Sequence, residues 1–178
     1  MVSRVGVVTA CTLLMAAPVA GAQQRGAIEI GGFANFTEFD NSLPIGNALG
    51  VGGRAGVHAL PRVALELDVA RSSADGVTYT PMHVWVVYDV PADAKTDVVV
   101  GGGYVHNKYG DGYDATDSGL SGFFGVRYRL RDMFALRMDG SLDFMWNPAN
   151  QNYNRAFNGN WGISAGLSVL LNWASRPK

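Results

Sequence analysis

From Trp161 to Trp173 the chain alternates with a period of two. Trp161, Ile163, Ala165, Leu167, Val169, Leu171 and Trp173 are apolar. Between them stand Gly162, Ser164, Gly166, Ser168, Leu170 and Asn172, small or polar apart from Leu170. Successive side chains of a strand point to opposite faces, so this stretch predicts a strand with a different environment on each side. The apolar stripe begins and ends on tryptophan. Twelve steps of about 3.3 Å, tilted by about 40°, span about 30 Å, the thickness of a hydrocarbon layer between two aromatic girdles.

Seven further strands are predicted upstream. The first, about 25–40, sets Ile28, Ile30, Gly32, Ala34 and Phe36 against Glu29, Gly31, Phe33, Asn35 and Thr37. The second (about 49–60) and third (about 63–72) alternate around a tight connection at Leu60-Pro61-Arg62. In the fourth, about 77–89, Trp85 and Val87 blur an apolar face of Met82, Val84, Val86 and Tyr88. Pro81 removes a ladder donor there, which predicts a bulge. The fifth, about 96–107, has no assignable facing. The sixth (about 118–130) and seventh (about 133–146) again alternate cleanly. Connections near 40–48, 107–117 and 147–159 read as long; those near 61, 91–95 and 131–132 read as short. The 73–76 connection is short although it falls on the long side.

Charge follows the same alternation. Arg54, Glu66, Asp68, Arg127, Arg129, Arg137, Asp139 and Asp143 all fall on the face opposite the apolar stripe, as does Glu29. A charge facing lipid at the midplane costs about 2–4 kcal/mol, which explains the segregation. The expected fold is all-β: an eight-stranded antiparallel up-and-down transmembrane β-barrel with these charges paired inside. With a turn centred on Pro61, Arg54 and Asp68 stand opposite each other, seven residues to either side. Trp146, Trp161 and Trp173 are the expected interface aromatics. Long external loops and short periplasmic turns are the rule for such barrels, and an even strand count puts both chain ends in the periplasm.

Composition narrows the partners. Fourteen Lys+Arg against fifteen Asp+Glu in 178 residues leave no basic footprint for nucleic acid. Residues 1–22 read as a signal peptide, with Arg4 as the positive region, Val5–Val19 as the apolar core and Ala20-Gly21-Ala22 as the cleavage site. Residues 23–178 are then the barrel domain. The single cysteine, Cys11, lies within the signal. Val8-Thr9-Ala10-Cys11 has the outline of a lipid-attachment box, but its apolar lead is short and the residues after it stay apolar. A mature chain without cysteine has no disulfide or thiolate chemistry. No cofactor is expected.

The stretches Ile28-Glu29-Ile30-Gly31-Gly32-Phe33, Gly101-Gly102-Gly103-Tyr104-Val105, Gly125-Val126-Arg127-Tyr128 and Gly166-Leu167-Ser168-Val169-Leu170-Leu171-Asn172-Trp173 carry a resemblance. Together they resemble the eight-stranded outer-membrane barrels of OmpA and OmpX type, over about 26–173. The resemblance implies a monomer embedded in outer-membrane lipid and lipopolysaccharide. It implies insertion by the barrel assembly machinery, which reads a closing strand like this one, although Ala174 to Lys178 follow the final aromatic. The peptidoglycan-binding domain common in the family has no room in this length.

For function, the first expectation is a barrel filled by its own side chains, as eight strands enclose little more. Its role is then structural, or surface contact through external loops. Tyr109, Tyr113, Tyr153 and Phe157 would be aromatic loop tips for a surface partner. A narrow ion pathway is one alternative. A lipid A-modifying enzyme is another, with His106 beside Ser118 or Ser121 near the outer rim; His58 falls toward the other rim, and His83 is the third histidine. Asp111, Asp114 and Asp117 could meet calcium but lack the spacing of an EF-hand. The rival class is a soluble lipocalin-like carrier, which requires the apolar face inside.

Overall fold

The computed structural model describes residues 25–41, 43, 45–147, 149 and 158–172. The signal peptide read in 1–22, Cys11, Tyr153, Phe157, Trp173 and Ala174–Lys178 lie outside the described residues. Eight strands follow one another: β1 Ile28–Glu38, β2 Ala48–Leu60, β3 Val63–Ala74, β4 Val77–Pro91, β5 Thr96–Gly110, β6 Ala115–Arg131, β7 Phe134–Asn147 and β8 Asn158–Leu171. Each pairs antiparallel with the next, and β1 pairs with β8 to close the barrel. Closure leaves no strand edge, the condition for a sheet to span lipid.

The two faces are chemically inverted relative to a soluble barrel. Leu49, Leu67, Leu120, Phe124, Leu142, Phe144, Ile163 and Leu167 point outward and are exposed. Arg54, Glu66, Arg127, Arg137 and Asp139 point inward and are buried. This removes the soluble-carrier alternative, whose lumen would have to be greasy. Trp146 and Trp161 are also on the outside, with Trp161 packed edge-on to Phe36 at 5.9 Å. β4 and β5, ambiguous in sequence, have Trp85, Val87 and Asp89, and Asp97, Val99 and Val105, turned inward.

Two expectations are corrected. Pro81 produces no bulge. Val69 pairs with Met82 and Ser72 with Tyr79 in a single register; the rungs between them are missing because proline donates nothing, but no residue is inserted. Register shifts fall elsewhere, between His58 and Leu60 and near both ends of the β6–β7 ladder. The long loop expected over 107–117 shrinks to residues 111–114. The inward series Val105, Asn107, Tyr109 continues the alternation, and Tyr109 pairs with Ala115. Both short connections at this end use Asp-Gly with positive φ at both residues: Asp75 (53°) and Gly76 (78°), Asp111 (57°) and Gly112 (105°). Asp-Gly suits tight hairpins for that reason. The long connections that remain, between β1 and β2 and between β7 and β8, share this end with the two Asp-Gly turns and make it the loop end of the barrel.

Candidate functional site: the filled lumen

Inward positions stack into layers along the barrel. In the layer nearest the turns, Arg127 reaches Glu29 at 2.6 Å and Asp89 at 3.0 Å, and His58 Nε2 meets the same Asp89 carboxylate at 2.7 Å. Ser168 donates to Glu29 at 2.7 Å. Arg129 donates to the Ala94 carbonyl at 2.6 Å, tying β6 to the β4–β5 turn.

The middle layer joins strands across the lumen. Arg54 makes a fork with its cross-strand neighbour Asp68, Nε–Oδ1 3.0 Å and Nη2–Oδ2 2.8 Å. It also reaches Glu66 at 3.3 Å and Asp139 at 2.8 Å. Arg137 grips Glu66 through two bonds of 2.7 and 3.0 Å and Asp139 at 2.9 Å. Aromatic rings flank both guanidinium groups: Arg54 lies 5.2 Å from the Phe33 ring and Arg137 5.1 Å from Phe123. Such contacts add attraction where water is excluded. Above them, His83 stacks on Trp85 at 4.7 Å and meets Asp143 at 3.3 Å, which also accepts from Ser121.

The lumen holds more acid than the alternation predicts. Asp89, Asp97 and Asp117 are buried alongside Glu29, Glu66, Asp68, Asp139 and Asp143, facing Arg54, Arg127, Arg129 and Arg137. The alternation misses the added three because β4 and β5 have no assignable facing and Asp117 sits in a polar stretch that reads as a loop. The signal that finds them is the spacing by two of Trp85, Val87 and Asp89, of Asp97 and Val99, and of Asp117 with Gly119, Ser121 and Phe123.

A second plug of different chemistry covers the loop end. Phe39, Leu43 and Ile45 of the β1–β2 loop fold over the barrel mouth onto Ala48, Val77, Tyr79, Tyr109 and Ala149. Phe39 meets Tyr79 edge-on at 4.7 Å, and Tyr79 lies 5.2 Å from Tyr109. The hydroxyls are satisfied beneath: Tyr79 donates to Asn107 at 3.0 Å and Tyr109 to Asp117 at 3.1 Å. Tyr113 packs on the cluster and donates to the Ala149 carbonyl at 2.7 Å. Tyr109 and Tyr113, expected as loop tips, are therefore parts of the cap. Between cap and ionic layers lies a cavity of about 50 Å³ bordered by Asn35, Thr37, His83, Ser141, Asp143 and Ser164. Phe33, Ala70, Tyr79 and Pro81 make this a mixed border, whose polar part suits a few ordered waters.

The remaining candidates are scattered. Asp111 accepts from Thr78 at the surface, whereas Asp117 is buried against Asn107 and Tyr109; the two carboxylates serve different partners. Among the described residues no cluster of three or more His, Cys, Asp or Glu is arranged to hold a metal ion. His106 and Ser118 are cross-strand neighbours on the outer surface, Nδ1 to Oγ 2.9 Å. Tyr104 donates to the same Oγ at 2.9 Å. Among the described residues no carboxylate pairs with His106 to orient it.

A closed eight-stranded wall, greasy outside and ionic inside, defines an integral outer-membrane barrel. The family model for the outer membrane protein beta-barrel domain matches residues 7–168, and the chain belongs to that family. No curated protein sequence matches it. Among solved structures it is similar to Neisserial surface protein A, at TM-score 0.64 and 19% identity, covering 82% of this chain and 99% of that one. It is similar to OprG of Pseudomonas aeruginosa, at TM-score 0.59 and 13% identity, covering 86% and 99%. The N-terminal barrel of Pseudomonas aeruginosa OprF follows at TM-score 0.58 and 17% identity, covering 83% and 98%. At these identities the likeness is one of fold.

Proposed function

We propose that this barrel is a non-enzymatic, monomeric envelope protein with no open channel, acting at the cell surface through its loop end. One observation carries the reading: two unlike plugs lie in series in the lumen, the ionic layers of Arg54, Glu66, Arg127, Arg137 and Asp139 and the aromatic cap of Phe39, Tyr79 and Tyr109. A conducting path would have to breach both. The lumen charges are structural, holding opposite walls at fixed separation.

Residues 1–22 are a cleaved signal, and the barrel assembly machinery inserts residues 23–178. The loop end faces the exterior and both termini the periplasm. Lipopolysaccharide and the other outer-membrane lipids surround the wall. The cap and the exposed Asp75 and Asp111 turns form the surface offered to a partner. Against catalysis stands the lone His106–Ser118 contact, which lacks an orienting carboxylate among the described residues and so falls short of a nucleophile–base–orienter chain.

Planar-bilayer recording of the refolded protein tests the central claim. The expected trace is silent; a stable, large single-channel conductance refutes a sealed lumen.

A further inference from the structure

The segregation of charge to the lumen has two exceptions. Arg71 of β3 and Lys108 of β5 point outward from within their strands and are exposed. Apart from strand-terminal residues, they are the charged side chains of the described wall that face outward. Both sit near the loop end, three and two residues from the ends of their strands.

The register places them together. Lys108 pairs with Thr80 on one side and with Thr116 on the other. Arg71 stands opposite Thr80 in the register that runs from Val69–Met82 to Ser72–Tyr79. The outward row therefore reads Arg71, Thr80, Lys108, Thr116, with the two cations about 10 Å apart, two inter-strand spacings. One rung nearer the midplane lies the hydrogen-bonded group of Tyr104, His106 and Ser118. Tyr104 also packs 6.3 Å from Trp146. Beyond them the surface turns apolar, with Val84, Leu120 and Phe144 exposed. Away from this row the matching belt is apolar, from Val51, the β2 partner of Arg71, through Leu49 to Trp161 and Ile163 of β8.

Neither Arg71 nor Lys108 has an ion pair among the described residues, whereas Arg54, Arg127 and Arg137 of the lumen pair with carboxylates. An exposed cation at the hydrocarbon edge costs about 0–1 kcal/mol by itself. Two of them, framed by hydroxyls on one side only, match an anion held at that depth. The ligand must combine a greasy body lying on Val84, Leu120 and Phe144 with an anionic head at the level of the row. Arginine forks onto phosphate oxygens and lysine supplies a point charge.

We propose that the outward face of β3–β6 binds a phosphorylated glycolipid of the outer leaflet, its phosphate held by Arg71 and Lys108 and its sugar hydroxyls by Thr80, Thr116 and Ser118. The proposal rests on the loop end facing outward. It goes beyond bulk lipid contact in naming one side of the barrel and two residues.

The test uses the refolded full-length chain in phosphatidylcholine bicelles, titrated with bis-phosphorylated lipid A and followed by native mass spectrometry or tryptophan fluorescence. Arg71→Gln/Lys108→Gln is expected to weaken binding about tenfold or more, the loss of two charge-assisted contacts, while Arg131→Gln at the opposite end leaves it unchanged. Heat-modifiable gel migration verifies that each variant is folded. Equal affinity of the double variant, equal affinity for enzymatically dephosphorylated lipid A, or displacement by millimolar inorganic phosphate alone each overturns the proposal. Orientation is read separately, by labelling Asp75→Cys in whole cells with an impermeant maleimide. Absence of labelling there would sink the topology, a result distinguishable from failed binding in bicelles.

Discussion

Arg137 and Glu66 face each other across the full width of the lumen. β7 and β3 lie four strands apart whichever way the eight-stranded wall is followed, and the two side chains close the gap with bonds of 2.7 and 3.0 Å. The pair acts as a strut between opposite walls, buried with Asp139 and Arg54 in one connected network.

Removing one end of the strut is expected to be costly. Arg137→Met leaves Glu66 and Asp139 short of a partner, and breaking a buried pair costs about 3–5 kcal/mol. Glu66→Leu/Arg137→Met removes both charges and is expected to recover part of that loss, since apolar replacement of a whole pair is often tolerated. Urea unfolding in lipid vesicles reads both values. A double variant less stable than either single one contradicts the strut account.

The two plugs make a prediction about permeability. Phe39→Ser/Leu43→Ser opens the cap, yet the Arg54, Glu66 and Arg137 layer remains below it. No conductance is expected from that variant in planar bilayers. Only a variant that also empties the ionic layer, such as one adding Arg137→Ala and Glu66→Ala, is expected to pass ions. Current through the cap variant alone would show that the ionic layer is not a barrier.

Glycines distinguish the wall's tight and open places. A Cβ at Gly103 would overlap the Val84 carbonyl oxygen, and one at Gly119 the Phe144 carbonyl oxygen. Both obstacles are neighbouring backbone, which cannot swing aside. Gly103→Ala and Gly119→Ala are each expected to destabilise the barrel by about 1–3 kcal/mol, the range for overpacking. A Cβ at Gly140 would meet nothing within 4 Å, so Gly140→Ala is expected to be near neutral. Thermal unfolding of the three variants, followed by gel mobility, gives the ranking.

Tryptophan quenching reports facing directly. In single-tryptophan variants, Trp146 and Trp161, exposed on the outer wall, are expected to be quenched by brominated lipid. Trp85, 3% exposed and set between His83 and Phe123 in the lumen, is expected to be insensitive to it. Quenching of Trp85 alone would mean that the wall is turned the other way.

Much of this architecture is legible in the sequence because lipid and lumen impose opposite demands every second residue. Strand eight, the Asp139–Asp143 stretch of strand seven and the Arg54–Asp68 opposition about Pro61 all follow from that alternation. It fails where both faces are apolar. In β4 and β5, Trp85, Val87, Val99 and Val105 line the lumen while Val84, Val86, Val98 and Val100 point outward, so period two vanishes and Asp89 and Asp97 cannot be placed by it. It fails again at Tyr109, where an aromatic in a polar stretch reads as a loop tip. Only the nearness of Tyr79 on the adjoining strand, invisible in linear order, makes it part of a cap. Arg71 and Lys108 escape notice for the opposite reason, being two cations at the margin of stretches judged on their centres.

The enclosed arginines and carboxylates bear on how the chain enters its bilayer. No single hairpin can be drawn through hydrocarbon while carrying an unmatched Arg127 or Glu29, because each finds its counterpart on a distant strand. Translocation and cylinder formation must therefore proceed as one concerted event, with the ionic groups neutralising one another as the first and last strands zip shut. A circularly permuted chain that moves this seam between β4 and β5 would keep every pairing yet change which groups meet last, and its insertion rate would register the difference.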